Sequence, residues 1–323
     1  MDLITIIKVV AGLVALVVGG EWLIRGASRL ATLLGIPPVV VGLTIVAMGT
    51  SAPELAVSLS AAFRGNADIA IANVVGSNIF NTFFILGLSA LVSPLIIHAT
   101  MIRREVPIMI GASLAVLLFS FDGRIQQIEA LLLFGFAILY TWWLVRETKR
   151  NRSASLESQV KEELSYRAAP LKEKWQIPVL IVAGLGVIML GADWLVDGAI
   201  LMAKALGVSD TVIGLTIVAA GTSLPEVVAS VVATIKGERD IAVGNVIGSN
   251  IYNILFILGL SGGIVPGGLA VQASLLNYDI PILLVSAALC WPIFWWGKQV
   301  RRIEGALFLS LYIAYTGYLI YQA

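Results

Sequence analysis

The segment GLTIVAMGTSAPE at residues 42–54 returns almost unchanged as GLTIVAAGTSLPE at residues 214–226. The segment DIAIANVVGSNIFN at 68–81 returns in the same way as DIAVGNVIGSNIYN at 240–253. Over 53 consecutive positions the two copies are identical at 31, always with an offset of 172. Membrane composition alone gives roughly one identity in ten, so the chain contains two copies of one unit.

The composition of the chain is that of a membrane protein. Of 323 residues, 59% are hydrophobic and 13% are charged, and the mean hydropathy is +0.94. Soluble domains are about 45–50% apolar and about 25% charged, which excludes a water-soluble domain. The formal net charge of +1 gives no electrostatic reason to expect a nucleic-acid partner. The single cysteine, Cys290, excludes an internal disulfide and a cysteine-based metal site.

Apolar runs long enough to cross a bilayer repeat along nearly the whole chain. A transmembrane helix needs about 20 apolar residues, whereas the strands of a membrane barrel alternate apolar and polar residues. The runs here are apolar on every face, so we predict an all-α membrane protein with ten transmembrane helices. The predicted spans are 3–24, 38–63, 69–93, 104–121, 126–146, 176–196, 211–235, 241–265, 277–297 and 302–321.

The duplication and the span count together predict the architecture. The polar stretch 148–175 divides the chain, so residues 1–147 and 176–323 form two units of five helices each. The first unit contains the motif 42–94 and the second the motif 214–266. An odd number of spans gives the two units opposite orientations in the membrane. Inverted repeats of this kind are typical of secondary transporters, whose binding site lies between the repeats near the midplane.

The basic residues predict the orientation of the chain. With ten spans in place, 17 of the 21 lysines and arginines fall on the side that holds residues 148–175. Basic residues concentrate in cytoplasmic loops. We therefore predict a multi-pass protein of the cytoplasmic (inner) membrane, with the 148–175 linker in the cytoplasm and both termini outside.

Two glutamates lie about halfway along their predicted spans. Glu54 follows Pro53 in the first copy, and Glu226 occupies the same position in the second. A charge at the centre of a bilayer costs at least about 2.5–3.5 kcal/mol, and no lysine or arginine lies deep in any span to pair with it. Protonated structural glutamates are one interpretation. The other, which we favour, is a cation site shared between the two copies.

Oxygen-bearing residues accompany both glutamates. Pro53 and Pro225 remove backbone donors, which predicts free carbonyl groups near Ala47, Thr50, Ala219 and Thr222. The stripes Asn73, Ser77, Asn81 and Asn245, Ser249, Asn253 follow on the next helix at four-residue spacing, where they serve either helix packing or ion binding. The neutral candidate ligands are Ala47, Thr50, Ser51, Ser77 and Asn81 in the first copy and Ala219, Thr222, Ser223, Ser249 and Asn253 in the second.

The chemistry of these ligands selects the ion. The segments contain no histidine or cysteine, which disfavours zinc and copper. Ca²⁺ takes about 6–8 oxygen ligands, whereas Mg²⁺ demands a stricter octahedron, and Na⁺ accepts the same oxygens as Ca²⁺. With both glutamates ionised the empty site carries two negative charges, which are unfavourable to enclose in a low dielectric. One Ca²⁺ or at least two Na⁺ would neutralise them, which predicts exchange rather than leak.

The GTS-x-PE and GSN-x-x-N segments, each present twice, resemble the α-repeats of the cation/Ca²⁺ exchanger superfamily. The chain is most similar to prokaryotic sodium/calcium exchangers and the bacterial inner-membrane calcium/sodium antiporter family, over essentially all ten spans. This resemblance implies two inverted five-helix halves, with the first and sixth helices sliding past the other eight. It also implies that Glu54 and Glu226 hold Ca²⁺. The remaining Ca²⁺ and Na⁺ ligands that it implies are Ala47, Thr50, Ser51, Ser77, Ala219, Thr222, Ser223 and Ser249.

One position departs from the pattern of some family members. They carry aspartate where this chain has Asn253, the counterpart of Asn81. The site then has two ionisable carboxylates rather than three, which leaves the Na⁺ count and a role for protons open.

These observations predict a secondary antiporter, not an enzyme, that exchanges Ca²⁺ for Na⁺ and extrudes Ca²⁺ with the Na⁺ gradient. Ca²⁺/H⁺ exchange and K⁺-dependent exchange stay open. The inverted repeat disfavours a channel, and the spans lack the serine–base or paired-aspartate arrangement of an intramembrane hydrolase. The expected partners are Ca²⁺, Na⁺ and the lipid bilayer, with no cofactor, no nucleic acid and no required oligomer.

Overall fold

A computed structural model describes residues 3–155, 174–205 and 219–322. These residues are almost entirely helical, as the sequence predicts. The helices are α1 (Leu3–Leu34), α2 (Pro38–Thr50), α3 (Ala52–Phe63), α4 (Asp68–Val92), α5 (Val106–Phe119, after a π-helical turn at Met101–Glu105), α6 (Gln127–Ser155), α7 (Gln176–Ala205), α8 (Leu224–Ile235), α9 (Arg239–Ile264), α10 (Leu275–Gly297) and α11 (Arg302–Gln322).

The lengths of these helices fit a multi-pass membrane protein. Within the described ranges, seven helices are long and apolar enough to cross a bilayer, and eight if α2 and α3, which meet at a bend of 46°, form one broken span. Because α5 and α8 are shorter, the count of ten spans stays a prediction. Two parts of the predicted organisation lie outside the described residues: 156–173 of the linker and 211–218 of the seventh span.

Three helices extend beyond the predicted membrane spans. The predicted spans end at residues 24 and 196, but α1 continues to Leu34 and α7 to Ala205. In α1 the apolar face continues past the predicted end, because Ala27 and Ala31 are still buried. α6 reaches Ser155, so the first part of the linker, residues 148–155, is helical.

Glycines hold α1 and α7 together. A methyl group on Gly12 would lie 2.8 Å from the backbone of Gly191, and one on Gly19 would lie 2.8 Å from that of Gly184. Such close backbone approach is how membrane helices associate when no water drives them together. The glycines recur every seven residues, at 12, 19 and 26 on α1 and at 184, 191 and 198 on α7.

Two short ribbons join loops of the first unit to loops of the second. β1 (Leu95–Ile96) pairs with β4 (Gln299–Val300), and β2 (Arg124–Ile125) pairs with β3 (Leu269–Ala270), both antiparallel. β1 and β3 follow equivalent helices of the two copies, as do β2 and β4. Each unit therefore contributes the strand after its central helix to one ribbon and the strand after its next helix to the other ribbon, as in a twofold arrangement.

The helices α4 and α9 occupy the centre of the protein. Residues 241–250 of α9 are all buried, and α2, α3 and α8 pack against this central pair. Each central helix contains a π-helical turn, Phe80–Ile85 in α4 and Asn253–Leu258 in α9. Because π turns inside α-helices often mark functional sites, these turns direct attention to Asn81 and Asn253.

Candidate cation-binding site

Each glutamate lies in the first turn of a helix that begins inside the protein. Ser51 ends α2 with a non-helical backbone (ψ 11°), and α3 begins at once with Pro53 near its N-terminus. Ser223 (ψ 7°), also followed by a proline, does the same before α8. The N-terminus of a helix favours negative charge. Glu54 and Glu226 are held at these two termini and are both fully buried.

The two copies exchange hydrogen bonds at this point. Ser51 Oγ donates to Glu226 Oε1 at 2.8 Å, and Ser223 Oγ donates to Glu54 Oε1 at 2.7 Å. Ser77 Oγ lies 3.5 Å from Glu54 Oε1 and 3.2 Å from Ser223 Oγ. Each carboxylate is thus bonded to the serine that lies three residues before the other glutamate, which brings the two acidic groups near each other. Ionising both therefore requires a compensating cation.

The second oxygen of each glutamate has no partner. Glu54 Oε2 and Glu226 Oε2 are buried and make no hydrogen bond with any described residue, and the ion pairs of the described residues include neither glutamate. A buried polar atom left unpaired costs roughly 1–3 kcal/mol. Further unpartnered oxygens belong to Asn81, Thr222, Ser249, Asn250 and Asn253.

This set of donors can be tested for its fit to an ion. It combines two carboxylates with amide and hydroxyl oxygens and contains no sulfur or imidazole. Such hard donors suit Ca²⁺, which tolerates irregular coordination by many oxygens, and Na⁺ takes the same groups. A bound cation would also satisfy the unpaired oxygens, so the residues fit the ions that the sequence predicts.

The predicted ligands differ in how they are placed. Ser51, Ser77 and Ser223 contact the glutamates directly. Asn81, Ser249 and Asn253 are buried on the central helices and have unpartnered polar atoms, and the Thr222 hydroxyl is likewise unpartnered.

Three predicted ligands are placed differently or are only partly described. The Ala47 carbonyl is not free, because it accepts hydrogen bonds from Ser51 N–H at 3.0 Å and from Thr50 Oγ1 at 3.3 Å. The Ser51 bond is the ordinary helical one, because the donor that Pro53 removes belongs to the Gly49 carbonyl, four residues before the proline. Of Ala219, only the backbone is described, in a short helical turn that ends at Gly221.

Asn73 and Asn245 serve helix packing. Asn73 Nδ2 donates to the Glu54 carbonyl at 3.0 Å and to Ser58 Oγ at 2.9 Å. Asn245 Nδ2 makes the equivalent bonds to the Glu226 carbonyl at 3.3 Å and to Ser230 at 2.9 Å. Of the two interpretations of the polar stripe, helix packing is therefore the one that the structure shows for Asn73 and Asn245.

Two asparagines at the crossing of α4 and α9, Asn78 and Asn250, are absent from the predicted site. Asn78 Nδ2 donates to the Asn250 carbonyl at 3.0 Å, and Asn253 Nδ2 donates to Asn78 Oδ1 at 3.0 Å. Asn250 Nδ2 donates to Thr82 Oγ1 at 2.8 Å. Asn78 and Asn250 are equivalent residues of the repeated GSN motif, and this recurrence is the signal that could have identified them.

A second pair of buried carboxylates was also not predicted. Tyr140 OH donates to Glu105 at 2.5 Å, and Tyr315 OH donates to Asp279 at 2.6 Å. The two pairs occupy corresponding places, with the carboxylate at the start of the fourth or ninth predicted span and the tyrosine on the helix after it. The offset here is 174–175 instead of 172, which hides the correspondence from an ungapped comparison.

Comparison with known proteins identifies the family. The family model described as sodium/calcium exchanger protein matches residues 4–146 and 176–321. The chain belongs to the sodium/calcium exchanger family. It is 34% identical to the sodium/calcium exchanger MaX1 of Methanosarcina acetivorans, with 96% of this chain and 97% of MaX1 covered. It is 36% identical to the inner membrane protein YrbG of Escherichia coli, with 87% of both chains covered.

A solved exchanger has the same fold. The structure of the sodium-calcium exchanger NCX_Mj, soaked with zero Na⁺ and Ca²⁺, matches with a TM-score of 0.83 and 30% identity, over 99% of this chain and 100% of that one. As a member of the exchanger family, the chain is a multi-pass membrane transporter and not an enzyme. Ca²⁺ and Na⁺ as transported ions fit this family.

Proposed function

We propose that the chain is a secondary antiporter that exchanges Ca²⁺ for Na⁺ across the cytoplasmic (inner) membrane by alternating access. The observation that carries this proposal is the pair of buried glutamates, each with one oxygen held by a serine of the other copy and one oxygen unpartnered. One glutamate of the pair comes from each unit. A movement of one unit relative to the other therefore changes the geometry of the site.

The proposed site assigns a role to each predicted ligand. Glu54 and Glu226 neutralise the charge of Ca²⁺, and their serine partners fix the carboxylate orientation. Neutral oxygens complete the shells of Ca²⁺ and Na⁺ and come from Ala47, Thr50, Ser51, Ser77 and Asn81 in the first unit and from Ala219, Thr222, Ser223, Ser249 and Asn253 in the second.

Charge explains why the ions are exchanged. An empty site with two ionised glutamates would have to be enclosed in a low-dielectric interior, at a cost of several kcal/mol per unpaired ion. One Ca²⁺, or two or more Na⁺, removes this cost. The loaded protein therefore changes orientation and the empty one does not, and the protein extrudes Ca²⁺ when Na⁺ enters along its gradient.

The proposed architecture has ten spans in two inverted units, residues 1–147 and 176–323, joined by the linker 148–175. The reciprocal serine–glutamate bonds and the reciprocal ribbons support a twofold relation between the units. The β1–β4 ribbon joins two loops that the ten-span count puts on the side rich in lysine and arginine, and the β2–β3 ribbon joins two loops of the other side. The basic side is then cytoplasmic, and both termini are outside.

Ca²⁺/H⁺ exchange is the second candidate function. The unpartnered Oε2 atoms of Glu54 and Glu226 would accept protons as readily as a metal ion. Neutral residues at Asn81 and Asn253 leave these two glutamates as the ionisable groups of the proposed site. A dependence on K⁺ is a further variant of the same exchange.

The test is Ca²⁺ uptake into proteoliposomes that contain Na⁺, K⁺ or a pH gradient in turn. We expect uptake to require internal Na⁺ and to be lost in Glu54→Gln and in Glu226→Gln, which keep the shape of the side chain but remove its charge. Uptake that follows the pH gradient without Na⁺ would replace Na⁺ with H⁺ in the proposal. Ca²⁺ flux with no counter-ion at all would contradict exchange.

A further inference from the structure

Asn73 and Asn245 make the same packing contacts in the two copies, but only one of them has a further bond. Thr50 Oγ1, from the first copy, lies 3.1 Å from Asn245 Oδ1 and donates to it. The equivalent bond would join Thr222 to Asn73. That bond is absent: the Thr222 hydroxyl has no hydrogen-bond partner among the described residues.

The burial of the two asparagines differs in the same way. Asn245 is fully buried, and Thr50, which donates to it, is also fully buried. Asn73 and Thr222 are only half-buried. The same two residue types, a threonine and an asparagine, are therefore hydrogen-bonded between Thr50 and Asn245 and not between Thr222 and Asn73.

The helix packing around the closed contact is tight. A methyl group on Gly244 would lie 2.6 Å from the Val39 carbonyl oxygen, and one on Gly248 would lie 2.6 Å from that of Leu43. A methyl group on Gly42, from the opposite helix, would lie 2.7 Å from the Ile241 carbonyl oxygen. α2 is therefore seated against the first half of α9.

On the equivalent face of α4, the described residues leave two positions uncovered. Ala72, the counterpart of Gly244, is exposed, and Gly76, the counterpart of Gly248, has no atom of the described residues within 4 Å of an added methyl group. The two faces have nearly the same sequence but differ at these positions and at the threonine contact.

We propose that Asn245 and Asn73 are positioning residues that alternate during transport, each accepting a hydrogen bond from the threonine of the other copy in one of two states. In the state described here, Thr50 is bonded to Asn245. In the opposite state, Thr222 is bonded to Asn73 and the bond between Thr50 and Asn245 is broken. This inference rests on the proposed function, because alternation has a role only in a transporter with two states.

The alternation follows from where the asparagines are anchored. Each one holds the backbone carbonyl of a site glutamate through its Nδ2 group, which leaves Oδ1 as an acceptor. In Asn245 this atom accepts from Thr50 of the other copy. A threonine that reaches this atom brings the end of its helix onto the glutamate. The threonine bond thereby couples closure of one side to the geometry of the ion site.

Cysteine cross-linking tests the proposal in the purified full-length protein with Cys290→Ala as background. The pair Thr222→Cys with Asn73→Cys reports the opposite state, and Thr50→Cys with Asn245→Cys reports the state described here. We expect both pairs to form disulfides on mild oxidation, the second faster. Failure of the first pair to cross-link while the second does would overturn the proposal.

A rate comparison separates positioning from packing. Adding Asn245→Ala to the Thr222→Cys/Asn73→Cys pair removes the competing acceptor, so its cross-linking rate should rise about fivefold, the value of one ordinary hydrogen bond. Ser230→Ala removes only the packing bond of Asn245 and should leave the rate unchanged. Equal effects of the two variants would reduce Asn245 to a packing residue.

Oxidation needs no transported ion, so this experiment and the transport assay fail separately. Loss of all Ca²⁺ exchange in the unmodified protein would contradict the proposed function whatever the cross-linking result. Normal exchange with no fivefold difference between Asn245→Ala and Ser230→Ala would contradict only the alternation.

Discussion

The helices α4 and α9 carry nearly the same residues, yet they lie in different surroundings. Over the most apolar window of each helix, 94% of the residues of α9 are buried but only 72% of those of α4. The first half of α9 is covered by α2, whereas the matching half of α4 retains exposed positions. A duplicated sequence therefore fixes which residues can form the contact, and the conformation decides which copy forms it.

The largest expected difference between the copies comes from their glycines. Gly248→Ala places a methyl group 2.6 Å from the Leu43 carbonyl oxygen, and overpacking of this kind typically costs about 1–3 kcal/mol. Gly76→Ala meets no atom of the described residues and, because alanine favours helix, should leave stability unchanged or slightly raised. Thermal unfolding of the two variants in detergent measures the difference. Equal losses in both would show that α4 is packed as tightly as α9.

The second pair of carboxylates sharpens the comparison. Tyr140→Phe removes the hydroxyl that donates to Glu105, and both side chains are buried, with exposures of 6% and 4%. Leaving a buried acceptor unpaired costs about 1–3 kcal/mol. Tyr315→Phe does the same to Asp279, where the tyrosine is only half-buried, so its loss should be smaller. Denaturation of both variants and of the unmodified protein measures the two losses of stability. A larger loss for Tyr315→Phe than for Tyr140→Phe would contradict the prediction.

A histidine distinguishes one end of the molecule from the other. His98, in the loop before α5, bonds to Asp240 at the start of α9 at 3.0 Å, and at the equivalent place Gln272 donates to Asp68 at 2.7 Å. The hydrogen bond to the Asp240 carboxylate, together with the charge of that carboxylate, raises the pKa of His98 above its usual value. Charged residues on the neighbouring elements include Glu238 just before α9, Arg239 at its start, Lys298 and Arg301 on either side of β4, and Arg103 and Arg104 before α5.

The sign of the pH effect follows from that shift. The protonated pair stabilises the folded protein below the unfolded pKa of histidine, and this contribution is lost as pH rises through the raised folded pKa. The pair is about half exposed, so we expect less than about 1 kcal/mol. The pair should make the folded protein more stable at about pH 6 than at about pH 9, and His98→Gln should abolish this difference. Gln272→His should introduce a similar difference through Asp68. An unchanged pH profile in His98→Gln would contradict this role.

The smallest expected effect concerns the turn before β4. Lys298 has φ 48°, in the left-handed region, where the equivalent residue of the first copy is Gly123 with φ 81°. Residues other than glycine are disfavoured in this region, but glycine also loses more backbone conformational freedom on folding. Lys298→Gly should therefore stabilise the protein by only a few tenths of a kcal/mol. Chemical denaturation with Gly123→Lys as the opposite change measures it, and a loss of stability in Lys298→Gly would show that its side chain is needed there.

Much of the candidate site follows from the sequence because it depends on local rules. A proline one residue before each glutamate predicts the break between α2 and α3, and the structure bends there by 46°. The absence of basic residues in the spans predicts glutamates without an ionic partner, and the described ion pairs agree. The free Ala47 carbonyl was a wrong expectation, because the donor that Pro53 removes belongs to the Gly49 carbonyl four residues earlier, and Ser51 N–H still donates to Ala47.

Other features depend on contacts between residues far apart in the chain. Nothing in the residues around Glu105 indicates that Tyr140 caps it, since the two lie on different helices. The bond between Asn78 and Asn253 likewise requires α4 and α9 to cross at one depth. Helix ends show the same limit: α1 extends ten residues past its predicted span because another helix covers its apolar face.

The sequence by itself determines the duplication, the membrane-spanning helices and the two glutamates with their oxygen-bearing neighbours, since these depend on composition, periodicity and proline. Only the tertiary structure decides that each serine bonds to the glutamate of the other copy, and that Thr50 reaches Asn245 while Thr222 does not reach Asn73. The reason is physical. Two copies of one sequence have the same local preferences, so any difference between them must come from how the chain packs.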